Sequence, residues 1–365
     1  MAARVPPAWV IRPLLALRNG VGRLHRGMVP PDVSVFERAL GIIDTKAMVV
    51  AADLGVADAL TAGPRHATEI AAEVGADADA LERLLRYLVG RGVFRRRRDG
   101  RFANNGTSNR LRVDHPTSLR PWVRFFGAPW HVAIWNELEH SVRTGDGAAA
   151  KAFGHEFWDY VTREDPAAGR VFDEAMEAAS RVQLDAVTRR YDWPEGGRIC
   201  DVGGGTGTLL AAIVASDPSH RGVLFDLPEV VAKADTVLAA AGVADRIEVV
   251  GGDFFAGVPA GCDRYVLQAI VHDWDDDSCV RLLTRCREAL PGDGRVLVLE
   301  FVMPDHDGDA IVKATDLEML VDTGKGRERT RSEFVSLFTQ AGLRVVGVTR
   351  IALTHVFELE PTTPV

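Results

Sequence analysis

The sequence has few of the features that mark disulfide-rich or metal-binding proteins. Only four of its 365 residues are cysteine, at 200, 262, 279 and 286, and no two follow the C-x-x-C spacing. We therefore expect neither a zinc site nor a disulfide framework, and no cluster of Asp, Glu and Asn indicates another metal. Because free thiols suit a reducing compartment, we expect a cytoplasmic protein.

The sequence also lacks an excess of positive charge and a long apolar run. Its 43 Lys and Arg residues face 51 Asp and Glu, which leaves a net charge of −8 and no electrostatic reason to expect nucleic acid. The apolar stretch 8–17 is interrupted by Arg12 and Pro13 and is too short to span a bilayer. We interpret residues 1–30 as a helical extension, and the chain length suggests two domains.

A glycine-dense stretch at 199–210, ICDVGGGTGTLL, carries the clearest functional signal. An apolar run ends at Asp201, a turn with Gly203, Gly205 and Gly207 follows, and a helical segment comes next. This order predicts the first strand, turn and helix of a doubly wound α/β domain, with helix N–H groups facing a ligand. A dinucleotide fingerprint needs glycine at Thr208, so the turn instead has the shape seen in S-adenosylmethionine-dependent methyltransferases. Glycine-rich turns also occur as plain connectors.

Short β-branched runs and helical segments alternate after this turn. They predict further strands at 221–226, 247–250, 265–267 and 295–301, followed by two closing strands at 343–348 and 356–359. Open α/β sheets bind ligands at the carboxyl ends of their strands. The sequence therefore predicts one pocket formed by the features that follow these strands: Asp201, Asp226, Asp253, the segment after Leu267, and Glu300.

Two of these acids have an expected role in binding a cofactor. Asp226 ends the second strand, where a carboxylate can accept hydrogen bonds from ribose hydroxyls. Asp253 could accept a hydrogen bond from an adenine amino group while Phe254 packs on the ring. Each acid alone could equally be a cap or a turn residue, but together they favour a cofactor site.

His272 follows the fourth strand, in the sequence VHDW at 271–274. Histidine is suited to taking a proton from a hydroxyl because its ordinary pKa is about 6.5. Glu300 could hydrogen-bond one ring nitrogen, and Glu328 brings a second carboxylate. A lone histidine is more often a surface or capping residue, and Glu328 could instead pair with a neighbouring arginine.

The N-terminal region, 31–115, predicts a winged helix. A short helix begins at the N-cap Thr68 and ends at Gly75, a second opens at Asp77 or Asp79, and a hairpin turns at 99–100.

A winged helix can bind DNA or pair subunits. The arginines at 95–98 could contact phosphates, but Asp77, Asp79 and Glu82 would face the polyanion from the recognition helix. We therefore expect dimerisation.

The middle segment, 116–190, is rich in aromatic residues and contains a helix at 165–187. Large rings could line a flat, apolar substrate pocket, although most of them are expected in the core. Trp158 and Met176 are the residues we predict to face a substrate.

Six motifs occur in the order and spacing of one family: DVGGGTG at 201–207, FDLP at 225–228, GDF at 252–254, HDW at 272–274, LE at 299–300 and RERT at 327–330. The chain resembles, over nearly its whole length, the small-molecule O-methyltransferases related to plant caffeic acid O-methyltransferase and to bacterial antibiotic-tailoring enzymes. The resemblance implies an α/β, class I methyltransferase fold, Rossmann-like with a doubly wound sheet, at 191–365. It also implies a winged-helix dimerisation domain at 31–115 and a helical linker and substrate-lining segment at 116–190.

The same resemblance implies S-adenosyl-L-methionine as cofactor, with S-adenosyl-L-homocysteine as product. His272 matches the general base, flanked by Glu300 and Glu328. The predicted cofactor-binding residues are Asp201, Gly203, Gly205, Gly207, Asp226, Leu227, Asp253, Phe254 and Gln268. The predicted acceptor-binding residues are Met176, Trp158, Asp273, Met319 and Thr323. Gln268 stands where plant members carry lysine, and Thr323 where they often carry asparagine.

The expected reaction is SN2 transfer of a methyl group to a hydroxyl of a small aromatic molecule, carried out by a homodimer without a metal. Two other functions are compatible with the sequence. The fold and cofactor site could serve a non-methylating reaction, such as hydroxylation or decarboxylation. Alternatively, the chain could be a ligand-responsive regulator that uses its winged helix.

Overall fold

The computed structural model describes residues 17, 20–22, 24, 27–193, 195–305, 310–351 and 354–362. The chain divides into two compact units, which are described separately. The helical unit comprises 22–133 and 170–182, and the sheet unit comprises 134–169 and 183–365 together with 1–21. Most of the predicted extension at 1–30 lies outside the described residues. Within the described part of the chain, every helix is too short or too polar to cross a bilayer.

The helical unit is built on short helices whose apolar faces form one core. In α5, Leu81, Leu85 and Leu88 recur at helical spacing and are all buried. The helices preceding the hairpin are α1 Pro31–Ala39, α2 Gly41–Asp53, α3 Val56–Ala59, α4 Ala67–Val74 and α5 Ala78–Gly90. After the hairpin come a 3₁₀ turn at Ser108–Leu111, α6 Arg120–Gly127 and α7 Pro129–Trp135.

The predicted winged-helix order is present in this unit. Gly75 ends α4 with a φ of 70°, and the Asp77 side chain caps α5 by accepting the backbone N–H of Ala80 at 2.8 Å. Thr68 is not the N-cap that we predicted. The N-cap is His66 and helix α4 begins at Ala67, two residues earlier than predicted, because the backbone N–H of His66 already donates to Glu69 at 2.7 Å.

The wing is a short antiparallel hairpin of β1 Arg95–Arg96 and β2 Phe102–Ala103. It turns at Gly100, which has a φ of 83°, as the Asp-Gly pair predicts. Arg96 pairs with Glu82 at 3.0 Å, so this arginine bonds to α5 of its own unit.

The sheet unit contains seven strands in the order β5-β4-β3-β6-β7-β9-β8. The first five run parallel to one another, and β9 runs antiparallel to both of its neighbours, β7 and β8. The strand order reverses beside β3, which leaves a crevice at the carboxyl ends of β3 and β6. The strands are β3 Arg198–Val202, β4 Arg221–Asp226, β5 Ile247–Gly251, β6 Arg264–Gln268, β7 Arg295–Phe301, β8 Leu343–Ile351 and β9 Thr354–Pro361.

Helices cover both faces of this sheet. They are α12 Thr208–Ser216, α13 Pro228–Val231, α14 Asp235–Ala240, α15 Asp276–Ala289, α16 Ala310–Asp322 and α17 Arg331–Gln340, with 3₁₀ turns at Ala244–Arg246 and Val271–Asp273. The segment before the sheet contributes α8 Leu138–Thr144, α9 Ala148–Phe153, α10 Phe157–Asp159 with a π turn at Tyr160–Glu164, and α11 Pro166–Arg190, which runs on from the helical unit.

Alternate residues of each strand enter different cores. In β4, Val223 and Phe225 pack with α15 and α17 on one face, whereas Leu224 packs with α12 and α14 on the other. Because both faces are covered, the inner strands β4, β6 and β7 are mostly buried apolar runs, which is why the sequence predicted them. All seven predicted strands are present, and they differ from prediction only by up to three residues at their ends.

Truncation of a buried leucine tests this packing. Leu283 of α15 is fully buried, so Leu283→Ala should lower the free energy of unfolding by about 2–5 kcal/mol through lost burial and a cavity. Leu317 of α16, which is 44% exposed, provides the matched control, and Leu317→Ala should cost less than about 1 kcal/mol. Urea unfolding measures both; equal costs would contradict the assigned core.

Candidate functional site

The glycine turn after β3 is fastened to the end of β4. The backbone N–H of Gly203 donates to the carbonyl of Phe225 at 2.8 Å, and the N–H of Gly205 donates to Asp226 Oδ2 at 2.8 Å. Gly203, Gly205 and Gly207 have φ values of 70°, 59° and 83°, which favour glycine. The backbone therefore lies against Asp226, and Gly207 begins α12.

This turn forms a cradle with one closed and one open position. A Cβ at Gly203 would lie 2.5 Å from Ile270 Cδ1, so the turn packs against the segment that leads to His272. A Cβ at Gly205 would meet no atom of the described residues within 4 Å. A ligand can therefore reach the backbone at Gly205 without displacing side chains.

Asp201 lies beneath the cradle and is only 2% exposed. Burial raises its pKa to about 7, the charge of Asp226 adds to this, and a hydrogen bond from the backbone of Leu210 opposes it. Its Oδ2 has no hydrogen-bond partner among the described residues. A buried acceptor in this state favours a ligand that carries N–H or O–H donors.

The remaining predicted cofactor residues lie along the same sheet edge. Asp226 Oδ1 accepts the backbone N–H of Leu227 at 2.7 Å, and Asp253 Oδ1 accepts that of Phe255 at 2.8 Å. Gln268 ends β6, beside Leu299 of β7. Asp226 thus orders the turn itself, in addition to any ligand contact.

An aromatic cluster brings together Phe254, Phe255, Trp274 and Trp158. The ring of Trp274 lies 5.9 Å from Phe254, 4.8 Å from Phe255 and 6.5 Å from Trp158, centroid to centroid. Trp158, which we predicted as an acceptor residue, therefore shares a neighbour with Phe254, which we predicted as a cofactor residue.

His272 lies in a single 3₁₀ turn after β6, and Glu300 fastens this turn. Glu300 Oε1 accepts the backbone N–H groups of Ile270, Val271 and His272 at 3.1, 2.7 and 3.3 Å. Ala269, just before them, has a φ of 53°, which is uncommon for a residue other than glycine. The backbone at the end of β6 is therefore held in an unusual conformation by a buried carboxylate.

The imidazole of His272 is enclosed by three carboxylates. Its Nδ1 lies 3.1 Å from Glu328 Oε1 and 3.8 Å from Glu300 Oε2, and its Nε2 lies 3.4 Å from Asp273 Oδ1. The hydrogen bond to the ring, which we expected from Glu300, is thus made by Glu328. Glu300 acts on the ring through its charge and on the turn through the backbone.

These charges decide the protonation of the ring. Burial by itself lowers the pKa of His272, but Glu300, Asp273 and Glu328 outweigh burial and raise this pKa to about 10. Burial raises the pKa of Glu300 to about 7 and that of Asp273 to about 6, and His272 opposes both shifts. The ring therefore carries a proton at neutral pH in this structure.

His272, Glu300 and Glu328 place one ligand atom each within 4.8 Å of one another, a spacing that a cation could bridge. However, Glu300 Oε1 already faces three backbone N–H donors, and the protonated ring supplies the positive charge. The imidazolium therefore offsets part of the negative charge of the three carboxylates.

The other predicted acceptor-binding residues do not all belong to the same unit. Met319 is buried on α16 in the sheet unit, whereas Met176 lies on the part of α11 that belongs to the helical unit. The hydroxyl of Thr323 donates to the carbonyl of Met319 at 2.8 Å and accepts the N–H of Gly326 at 2.8 Å. Thr323 thus orders the loop that precedes Glu328.

The sequence reasoning missed Arg329, which is only 1% exposed. Its guanidinium donates to the carbonyls of Val271 and Trp274, on either side of His272 and Asp273, at 2.9 and 2.7 Å. The sequence did contain an indication, because Arg329 belongs to the RERT motif and follows Glu328 directly. An arginine in a run of charged residues is, however, usually expected at the surface.

Known families match both parts of the chain. The family described as "O-methyltransferase domain" matches residues 135–344, and that described as "O-methyltransferase dimerisation domain" matches residues 36–114.

Curated relatives and solved structures agree with these matches. The phenazine O-methyltransferase PhzM of Lysobacter antibioticus is 39% identical, over 88% of this chain and 94% of that protein. The mitomycin biosynthesis 6-O-methyltransferase of Streptomyces lavendulae is 40% identical, over 84% and 87%. The O-methyltransferase NcsB1 from neocarzinostatin biosynthesis, in complex with S-adenosylmethionine and 2-hydroxy-5-methyl naphthoic acid, has a TM-score of 0.72 at 37% identity, over 87% of this chain and 96% of that one.

The buried Asp201 should cost stability above neutral pH. Its pKa rises from an ordinary 3.8 to about 7 on folding, so the folded state holds a proton that the unfolded state loses between these values, and stability falls as pH rises through this window. Asp201→Asn should therefore raise the free energy of unfolding at pH 8 by up to about 4 kcal/mol, and by far less at pH 4. Urea unfolding at both pH values, with the exposed Asp293→Asn as control, measures this; a gain independent of pH would contradict it.

Glu328 should be needed for the high pKa of His272. Glu328→Gln keeps the side-chain volume but removes one of three carboxylates, so the pKa of the ring should fall by about one unit or more. NMR titration of ¹⁵N-histidine-labelled protein, with the resonance assigned through His272→Gln, measures this pKa. Glu288→Gln, on the exposed face of α15, should leave it unchanged. An unaltered pKa in Glu328→Gln would contradict the assignment.

Proposed function

The chain belongs to the O-methyltransferase family, and we propose that it uses S-adenosylmethionine to methylate a hydroxyl group of an aromatic small molecule, a secondary metabolite. The observation that carries the proposal is the imidazole of His272, which is 12% exposed, is ringed by three carboxylates and follows Ile270, whose side chain packs against Gly203 of the glycine cradle. A proton acceptor and a cofactor cradle at one sheet edge are what methyl transfer to a hydroxyl needs.

The residues at the cradle fit S-adenosylmethionine. Asp201 Oδ2, which has no hydrogen-bond partner in the part of the chain that the structure describes, and the open backbone at Gly205 suit a ligand with an ammonium group and a polar chain. Asp226 ends β4, where it can meet ribose hydroxyls, and Phe254 offers a ring face to adenine. When bound, S-adenosylmethionine supplies a methyl group on a positively charged sulfur. The predicted Gln268 contact stays part of this proposal.

His272 takes the proton of the acceptor hydroxyl. Its three carboxylates make the imidazole a stronger base than a free histidine, so proton transfer from a phenol of pKa about 10 is nearly balanced. The same carboxylates keep the ring protonated at neutral pH. Because that proton has to leave before the ring can accept another, activity should rise with pH above 7.

The acceptor is proposed to be aromatic. Trp158 and Trp274 stack with an interplanar angle of 17° in the sheet unit, which favours a flat ring system nearby. The relatives support this, since their names specify phenazine and mitomycin chemistry, and NcsB1 was solved with a naphthoic acid. Met319, Asp273 and Thr323 remain the proposed further acceptor residues of the sheet unit, and Met176, in the helical unit, stays a prediction from the sequence.

The protein is proposed to act as a homodimer through its N-terminal domain. The dimerisation family match begins at residue 36, within α1, and continues through α5 to residue 114. Within the match, α1 and α2 expose apolar side chains, among them Phe36 at 71% and Ile42 at 65%. Burial of these side chains against a second copy would remove apolar area from water. The acidic net charge supports small molecules rather than nucleic acid as partners, and four free, buried cysteines support a cytoplasmic setting.

Replacement of the base tests the mechanism. His272→Ala should bind S-adenosylmethionine with nearly wild-type affinity by calorimetry, yet lose methylation by about 100-fold or more. The acceptors are 2-hydroxy-5-methyl naphthoic acid, a hydroxyphenazine and simple phenols, assayed with labelled cofactor from pH 7 to 9. His155→Ala, 45% exposed at its side chain, is the control.

Two results would overturn the proposal. If the wild-type chain does not bind S-adenosylmethionine, the cofactor assignment fails. If His272→Ala binds the cofactor and methylates at the wild-type rate, the base assignment fails while the family function stands.

A further inference from the structure

We propose that Arg329 is a positioning residue for His272, acting on the carbonyl side of the same turn that Glu300 holds on its N–H side. The proposal goes beyond the proposed function, on which it rests only for its effect on catalysis. It follows from the bonds made by the two buried, oppositely charged side chains.

The first step is the placement of the guanidinium. Arg329 Nη1 donates to the carbonyl of Val271 at 2.9 Å, and Nη2 donates to that of Trp274 at 2.7 Å. These two carbonyls bracket His272 and Asp273. A planar guanidinium spans both at once, which an ammonium on a flexible chain cannot reproduce.

The second step is the anchoring of Arg329 itself. Its Nε and Nη2 donate to Asp276 Oδ1, in the first turn of α15, at 2.9 and 2.7 Å. Its backbone carbonyl accepts the N–H of Met303 at 2.9 Å. Arg329 therefore ties the His272 turn to α15 and to the segment after β7, and it is itself almost fully buried.

The guanidinium of Arg329 bonds to none of the carboxylates around the His272 ring. The carboxylates that face the imidazole are Glu300 from β7, Asp273 from the turn and Glu328 from the segment before α17. The guanidinium is bonded to backbone carbonyls and to Asp276 rather than to any of these groups. Its influence on the ring is therefore geometric, through the distances from the ring to the carboxylates.

The direction in which the pKa of His272 changes on replacement of Arg329 distinguishes a geometric effect from an effect of charge. Loss of a nearby positive charge by itself would raise the pKa of His272. Loss of position would move the ring away from the carboxylates and lower this pKa. We expect Arg329→Gln to lower the pKa of His272 by about one unit or more, and Arg329→Lys, which keeps the charge, to lower it by less.

NMR titration of ¹⁵N-histidine-labelled full-length protein measures the pKa of His272 without any acceptor. Arg331→Gln is the matched control because it removes a neighbouring but exposed arginine. In this variant the pKa of His272 should equal that of the wild type. In the methylation assay, Arg329→Gln should reduce kcat by about 10- to 100-fold, with little change in the Kd of S-adenosylmethionine.

An unchanged or raised pKa of His272 in folded Arg329→Gln would overturn the proposal, even if thermal stability fell. If Arg329→Gln does not fold, Arg329→Lys decides, since an unchanged pKa and unchanged kcat in that variant would equally overturn it. Failure of the wild type to bind S-adenosylmethionine would refute the proposed function but leave the pKa comparison valid.

Discussion

The positive charge on the imidazole of His272, which is largely shielded from water, depends on the carboxylates around the ring. Burial alone would neutralise His272, and its proton is held because Glu300, Asp273 and Glu328 surround the ring. The dependence is mutual, since His272 also holds down the pKa values of Glu300 and Asp273 against the effect of their own burial. Removal of His272 would leave the carboxylates buried without their counter-charge, which is far more costly than breaking an exposed ion pair.

The cluster can form because the sheet brings distant segments to one edge. The strand order reverses beside β3, so the glycine turn after β3 and the turn after β6 lie side by side. Ile270 occupies the space that a side chain at Gly203 would need, and this links the cradle to the His272 turn. Glu300, near the end of β7, then reaches the N–H groups of that turn because β6 and β7 are adjacent parallel strands.

The site carries several features that work against stability. Asp201 and Glu300 are buried acids, Glu328 Oε2 lacks a hydrogen-bond partner among the described residues, and Ala269 has a positive φ. Such features persist where the surrounding structure determines the local conformation. Here two apolar cores, one on each face of the sheet, hold the strands whose ends carry the site. We infer that burial in these two apolar cores offsets the destabilising effect of the charged groups at this edge of the sheet.

Local sequence determined the elements and the kind of chemistry. Apolar runs such as 222–225 were readable as strands because both faces of a parallel sheet are buried. Gly203, Gly205 and Gly207 marked the turn because its positive φ angles favour glycine. The tertiary structure alone decided which partner each charge takes. Glu328 rather than Glu300 bonds the ring, and Arg329 is buried against Val271 and Trp274. These pairings join residues up to 58 positions apart, and no local pattern encodes them, because they depend on the distances that packing of the strands and helices sets.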